Sequence, residues 1–527
     1  MPAFIRKLLW LALLFAGGSA QALTAQELKA LAVGETDARI AALNQAVANA
    51  DDRTIAFIQA LSQDAVKVSG ERVFTLKDDK AFDPITGLAI ALPADAEDVV
   101  NTNQMRNAFD KALAALRLFS KDDKLRAQSV ATLLGDPDES QLPLIEKALA
   151  AEINPKIQQQ LGLLRAALWL ASPDRARRIE AAGLLAASGN PDTKTLLLQR
   201  IPSEGDAGVK AALVASLARV DARLAWGDRL GAIFSGISLG SILLLVALGL
   251  AITYGLMGVI NMAHGELMMI GAYATYLVQG LFQRYLPAAY FDWYLLAALP
   301  VAFMAAALVG AAMERSVLRY LYGRPLETLL ATWGISLMLM QGVRSLFGAQ
   351  NVGVENPSWM SGGVQVLGNL SLPLNRLVII GFAVAVLLGV AWLISRTRLG
   401  LFVRGVTQNR AIASCMGVNT ARIDTYAFAL GSGIAGLAGC ALSQIGNVGP
   451  DLGQSYIVDS FLVVVLGGVG QLAGTVYAAL GLGVLNKFLE GWTGAVLAKI
   501  AVLVFIIIFI QKRPQGIFAM KGRSAEA

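Results

Sequence analysis

The chain has 527 residues, of which 55% are hydrophobic and 16% charged, and its mean hydropathy is +0.56. It is too long for one domain and too apolar for a wholly soluble protein. The formal net charge of +6 is uneven: residues 23–225 hold 24 Lys+Arg against 27 Asp+Glu, and residues 226–527 hold 18 against 11, so the excess sits beside apolar spans rather than in a nucleic-acid-binding patch.

Residues 1–22 read as a secretory signal. Arg6 and Lys7 form the charged start, Leu8 to Phe15 the apolar core, and Ala20-Gln21-Ala22 a small-residue cleavage site. Cleaved signal or uncleaved anchor, the segment delivers the next 200 or so residues to the far side of the membrane. Residues 23–225 are expected to form an exported, mostly helical soluble domain. A small hairpin is predicted where Val73, Phe74 and Leu76, then Leu88, Ile90 and Leu92, flank Asp83-Pro84-Ile85-Thr86-Gly87. From about Lys121 a repeat with an offset near 52 residues appears: Arg126 to Leu134 echoes Arg178 to Leu185, and Ile157, Leu161 and Leu164 echo Val209, Leu213 and Leu217. Stacked HEAT-like pairs or a plain helical bundle would both bury that pattern. This half contains neither histidine nor cysteine, which points to binding or docking rather than catalysis.

Residues 226–527 read as a polytopic membrane domain, so the fold class is all-α. Nine apolar segments are predicted, near 231–254, 259–282, 294–313, 326–347, 374–394, 424–445, 455–470, 472–490 and 495–511. The pair at 455–490 is short, is interrupted by Gly467-Gly468-Val469-Gly470, and could be re-entrant. If the first span starts outside, alternation places Arg315, Arg319 and Arg324 inside, then Gly348 to Ser371, free of Lys and Arg, outside. It places Arg396, Arg398, Arg404 and Arg410 inside, with a cytoplasmic C-terminus bearing Lys512, Arg513, Lys521 and Arg523.

Two stretches carry functional weight. Gly255 to Ala272 joins the first two spans and sets Asn261, His264, Gly265 and Glu266 into an apolar setting; His264 is the only histidine. Polar groups at membrane depth find partners or line a wet path, and a glycine-rich break between spans is where transport paths are built. Asn261 and His264, three apart, would share a helix face, with Glu266 turned to another neighbour. His264 could equally be a satisfied buried histidine. The second stretch is the basic loop Arg398 to Arg422. It has a short helix-forming core and glycines on either side, and could be an ordinary cytoplasmic loop or a docking site. No metal site is expected, since Cys415 and Cys440 lack ligand spacing. No catalytic residue is expected either: Gly431-Ser432-Gly433 with His264 is only a faint hydrolase pattern, without G-x-S-x-G.

The phrase Gly258-Val259-Ile260-Asn261-Met262-Ala263-His264-Gly265-Glu266 resembles the signature of permeases of the branched-chain amino acid type of ABC importer. Ala411-Ile412-Ala413 followed by Gly417, the run Val465 to Gly470 with Gly474, and the closing Arg513 to Phe518 match in the same order. A signal and a long exported domain before the first span resemble the urea-importer permease within that family. The resemblance implies a bacterial inner-membrane permease subunit that moves urea or a short amide by alternating access. The alternatives are a branched-chain amino acid permease or a stand-alone urea or amide channel. It implies a substrate path at Asn261, His264, Gly265 and Glu266 and at Gly467, Gly468 and Gly470. It implies ATPase coupling through Arg404, Arg410, Ala411, Ala413, Gly417 and Asn419. Ala411 stands where the general coupling pattern has glutamate, so an arginine is expected to supply charge, and Gly417 is expected to permit close approach. The implied partners are a second permease subunit, two cytoplasmic ATPase subunits, a periplasmic urea-binding protein and membrane lipid. ATP would be bound by the ATPase subunits, because this chain has no G-x-x-x-x-G-K-[ST] loop.

Overall fold

The computed structural model describes residues 24–48, 52–77 and 80–518. The signal assigned to 1–22, and Lys521 and Arg523, lie outside the described residues. The chain divides into two compact units between Ala225 and Trp226.

The first unit opens with α1 (Ala25–Ala32), α2 (Thr36–Ala48) and α3 (Asp52–Ser62). Thr24 starts α1 by a reciprocal cap: its Oγ1 accepts from the Glu27 amide at 3.3 Å, and Glu27 Oε2 accepts from the Thr24 amide at 2.8 Å. Strands β1 (Val66–Ser69), β2 (Arg72–Lys77), β3 (Lys80–Phe82), β4 (Ala89–Ile90) and β5 (Glu97–Asp98) come next, in the sheet order β4-β3-β2-β1-β5. The predicted hairpin is thus part of a larger antiparallel sheet. The turn at Asp83 to Gly87 joins β3 to β4, whereas Val73 to Leu76 pairs with β1 and β3. The sequence reading missed β1, β3 and β5 because each is short and half-polar.

The helical part comprises α4 (Asn103–Arg117), α5 (Asp123–Gly135), α6 (Leu142–Ala151), α7 (Pro155–Trp169), α8 (Arg175–Leu185) and α9 (Pro191–Ser203). The 52-residue offset is visible in the polar joints. Asp122 caps α5 and Asp174 caps α8. Arg126 pairs with the buried Glu152 at 2.8 Å and donates to the Ser120 carbonyl at 2.9 Å; Arg178 pairs with the buried Glu204 at 3.2 Å and donates to the Ser172 carbonyl at 2.9 Å. Leu133, Ile157, Leu161, Leu164, Leu185, Val209 and Leu213 fill one core behind these joints.

Among the described residues, nine helices match the predicted apolar segments: α10 (Ala207–Met257), α11 (His264–Tyr285), α12 (Tyr294–Ser316), α13 (Pro325–Phe347), α14 (Leu374–Arg396), α17 (Thr420–Ser443), α18 (Leu452–Gly467), α19 (Leu472–Thr493) and α20 (Ala495–Lys512). The short helices α15 (Arg398–Gln408) and α16 (Arg410–Cys415) lie between α14 and α17. Seven of the nine are long and apolar enough to cross a membrane; α11 and α18 are not among them. Polar residues in its first turns set α11 apart, and the 16 residues of α18 span about 24 Å at 1.5 Å per residue.

Helices α11, α12 and α17 form the centre of the membrane unit. Their contacts are made by small residues, as is usual where helices meet in lipid. Gly271 lies on the Gly436 backbone, and Gly439 on Met268 and Ala272. Gly265 meets Gly453 across α11 and α18. At one end of the bundle the segment after α12 meets α16 and the start of α17, through Tyr322, Arg410 and Asp424. At the other end the stretch before α14 and the first turn of α14 meet the segment that follows α17, where Val352 bridges Val448 and Asn375 reaches the Gln444 carbonyl at 3.1 Å. A two-stranded hairpin, β6 (Gly363–Leu367) with β7 (Leu370–Pro373), belongs to that second end.

Candidate translocation and coupling site

Helix α10 stops because Gly258 turns the chain at φ +66, a conformation that glycine adopts without strain. The chain then runs back alongside α10 before α11 starts at His264. Asn261 precedes the helix and accepts from the Ala263 amide at 3.1 Å, so it does not share a helical face with His264 as a continuous helix would require. His264 Nε2 lies 3.1 Å from the Val246 carbonyl. A carbonyl only accepts, so Nε2 carries the proton. Glu266 does turn to a different neighbour: Oε1 accepts from Ser336 of α13 at 3.0 Å. Thr332, one turn earlier on α13, accepts from the Met262 amide at 3.2 Å.

Asn261, His264 and Glu266 are all fully buried. Each keeps a polar atom without a protein hydrogen-bond partner: Asn261 Nδ2, His264 Nδ1 and Glu266 Oε2. Tyr273 Oη further along α11, Ser432 Oγ of α17 and Ser460 Oγ of α18 share that condition. Each such atom in an apolar setting carries a penalty of roughly 1–3 kcal/mol, which a small polar solute or water passing between the helices would relieve.

Gly467 is the last residue of α18, and Gly468 and Gly470 lie in the turn to α19. Gly467 packs on Gly474, while Gly468, at φ +98, lies against the carbonyls of Gln515 and Phe518. The Ile517 amide donates to the Leu466 carbonyl at 2.8 Å. This turn is therefore locked to the chain's closing segment.

In the basic loop Thr397 caps α15, Asn409 caps α16 by accepting from Ile412 at 3.0 Å, and Asn419 caps α17 by accepting from Arg422 at 3.1 Å. Gly417 has φ +83, a backbone angle that favours glycine, and nothing in this chain lies within 4 Å of where a Cβ would stand. Ala413 is buried and Ala411 exposed. Ile412 of α16 and Met416, the residue just after it, are 61% and 79% exposed and put two apolar side chains on the surface of the loop. The two arginines differ. Arg404 is exposed, with its Nε 3.4 Å from the Gly400 carbonyl. Arg410 instead turns inward, with both terminal nitrogens on the fully buried Asp424 and its guanidinium 5.1 Å from the Tyr322 ring centre. Tyr322 donates to Glu314 at 2.8 Å, and Thr425 donates to the other Glu314 oxygen at 2.6 Å. Burial and the neighbouring Glu314 carboxylate push the Tyr322 phenol upward, so it stays a donor. Sequence reading missed Glu314, Tyr322, Asp424 and Thr425. Both carboxylates fall at the edges of predicted spans, where charge is ordinary.

The branched-chain amino acid transport system / permease component family matches residues 232–511. The chain belongs to this family. The high-affinity branched-chain amino acid transport system permease protein LivH of Salmonella typhimurium is 28% identical over 291 residues, 54% of this chain and 93% of its own length. The corresponding BraD of Pseudomonas aeruginosa is 27% identical over 289 residues, again 54% and 93%. The ribose import permease protein RbsC of Haemophilus influenzae is 31% identical over 114 residues, 20% of this chain and 35% of its own length. No solved structure matches the chain. The family match covers the break at 258–266 and the loop at 398–422 of this multi-pass membrane permease, and it begins after the first unit has ended. These relatives are permeases, and their names specify branched-chain amino acids and ribose; urea is not among them.

Proposed function

We propose that the chain is one permease subunit of an ATP-driven importer in a bacterial inner membrane, passing a small polar solute by alternating access. The observation that carries this reading is the break at 258–266, where three polar side chains with unpartnered atoms are held between packed spans. A second permease subunit, two ATPase subunits at the 398–422 loop and a solute-binding protein complete the machine. The C-terminus and the basic loops face the cytoplasm and residues 23–225 the periplasm. The solute is a branched-chain amino acid, in keeping with the names of the relatives. Urea is the second reading, and a specific observation favours it: residues 23–225 precede the family match, which starts at 232, and such an exported domain resembles the urea-importer type.

Uptake of labelled leucine and labelled urea, measured in cells that carry the whole gene set but lack other carriers for either, tests both. ATPase-dependent leucine uptake supports the first reading and ATPase-dependent urea uptake the second. Uptake that survives deletion of the ATPase genes overturns both in favour of a stand-alone channel.

A further inference from the structure

Helix α13 is attached to the membrane unit in an unusual way. Its buried residues are Thr328, Thr332 and Ser336, a stripe of hydroxyls at i, i+4 spacing. Leu326, Leu330, Trp333 and Met338 are more than half exposed, while Ile335, Leu339 and Val343 pack half-buried against the bundle and the Phe347 ring centre lies 4.6 Å from that of Tyr273. Each hydroxyl holds a different part of the site. Thr328 Oγ1 lies 2.8 Å from the Arg324 carbonyl and 3.1 Å from the Leu321 carbonyl, both in the connector before α13. Thr332 accepts from Met262, and its Oγ1 lies 3.4 Å from the Ile260 carbonyl, both in the break. Ser336 holds Glu266. The same connector carries Tyr322, which sits under Arg410 of α16 and lies 3.1 Å from the sulfur of Met257, the last residue of α10 before the break. A series of contacts therefore runs from the 398–422 loop, through Arg410 on the Tyr322 ring, the connector backbone at Leu321 and the hydroxyl stripe of α13, to residues 260–266.

We propose that α13 is the moving element of the permease: displacement of α16 is passed through Arg410 and Tyr322 to α13, whose hydroxyl stripe then remodels the break. This rests on the reading of the 398–422 loop as the ATPase dock. The fully buried part of the α13 contact is made by hydroxyls, whose hydrogen bonds can be exchanged for others at small net change in free energy, and its apolar contacts at Ile335, Leu339, Val343 and Phe347 are only half-buried. Arg410, Tyr322, Thr332 and Ser336 act on the path through other groups and are positioning residues.

The test uses the complete complex in lipid, with Cys415→Ser and Cys440→Ala and spin labels on Met338→Cys of α13 and Leu281→Cys of α11, both exposed positions. The 281–338 distance is measured without nucleotide and with ATP and vanadate. The expected result is a shift of about 2 Å or more, the scale of helix displacements in such switches. Tyr322→Leu, which removes the ring under Arg410, and Thr332→Val should abolish the shift and lower uptake about tenfold while the ATPase still co-purifies; Tyr322→Phe, which keeps the ring, and Thr332→Ser should restore both. A nucleotide-independent distance overturns the proposal, as does an undiminished shift in Tyr322→Leu and Thr332→Val. Because the distance needs no knowledge of the solute, a normal shift with no uptake of leucine or urea counts against the functional reading instead.

Discussion

Glu266 has one carboxylate oxygen on Ser336 and the other without a protein partner. An amide can keep the Ser336 contact, whereas an apolar side chain leaves that hydroxyl buried and unpaired at a penalty of roughly 1–3 kcal/mol. Glu266→Gln is therefore expected to retain a measurable fraction of uptake, and Glu266→Leu to lose most of it, at equal membrane expression. Equal uptake by the two variants would remove the hydrogen bond from the account. Gly417 gives a second residue-scale test. Its positive φ with open surroundings predicts that Gly417→Asn transports nearly as well as wild type, since asparagine tolerates the left-handed region. Gly417→Val should be impaired by strain of about 1–2 kcal/mol. Were close approach the constraint, the larger asparagine would fail as badly. At this scale the polar residues of the break stand out in the sequence, but their partners do not. Glu266 announces itself as a carboxylate at membrane depth. Thr332 and Ser336 are common residues whose i, i+4 spacing acquires meaning only when α11 is placed beside them.

The spans were legible as elements because an apolar run of about 20 residues matches the hydrocarbon thickness of a bilayer. Their assembly was less so. The pairings of Gly271 with Gly436 and of Gly265 with Gly453 depend on which helices meet, and a glycine in a span does not name its neighbour. Gly436→Leu should push α17 away from α11 and α12, with overpacking of about 1–3 kcal/mol, seen as loss of the folded permease in a detergent thermal-stability assay. Gly280→Leu, at an open position, is the control and should melt like wild type. In the first unit the 52-residue offset was readable in Arg126 and Arg178, while their acceptors Glu152 and Glu204 lie about 26 residues further on, beyond any local pattern. Hydrogen bonding from Arg126 holds the Glu152 carboxyl below its usual range. A carboxyl lowered in the folded state adds stability above its unfolded pKa and loses it as the pH falls through the folded value. The stability of the unit should therefore decline with acidification from roughly pH 4.3, the unperturbed glutamate value. Glu152→Gln should be less stable at neutral pH and show a shallower acid dependence in chemical denaturation. Parallel pH profiles for the two would contradict the pairing.

At the scale of the whole molecule, composition changes sharply near Trp226, yet α10 runs unbroken from Ala207 to Met257 because its sequence contains no proline to stop it. The sequence thus marks where the environment changes, but not where the helix ends. In the proposed machine the solute path and the ATPase dock are on one chain, and the energy source is on another. The central claim is that ATP hydrolysis by a separate subunit drives solute past the break at 258–266. The most direct measurement is uptake into proteoliposomes containing both permease subunits, the ATPases and the binding protein, with ATP supplied on the ATPase side and wild type compared with Asn261→Ala and His264→Ala. The account predicts solute accumulation in wild type with ATP, none with a non-hydrolysable analogue, and strongly reduced uptake in both variants although the complex assembles. Accumulation without hydrolysis, or full uptake by both variants, would contradict it.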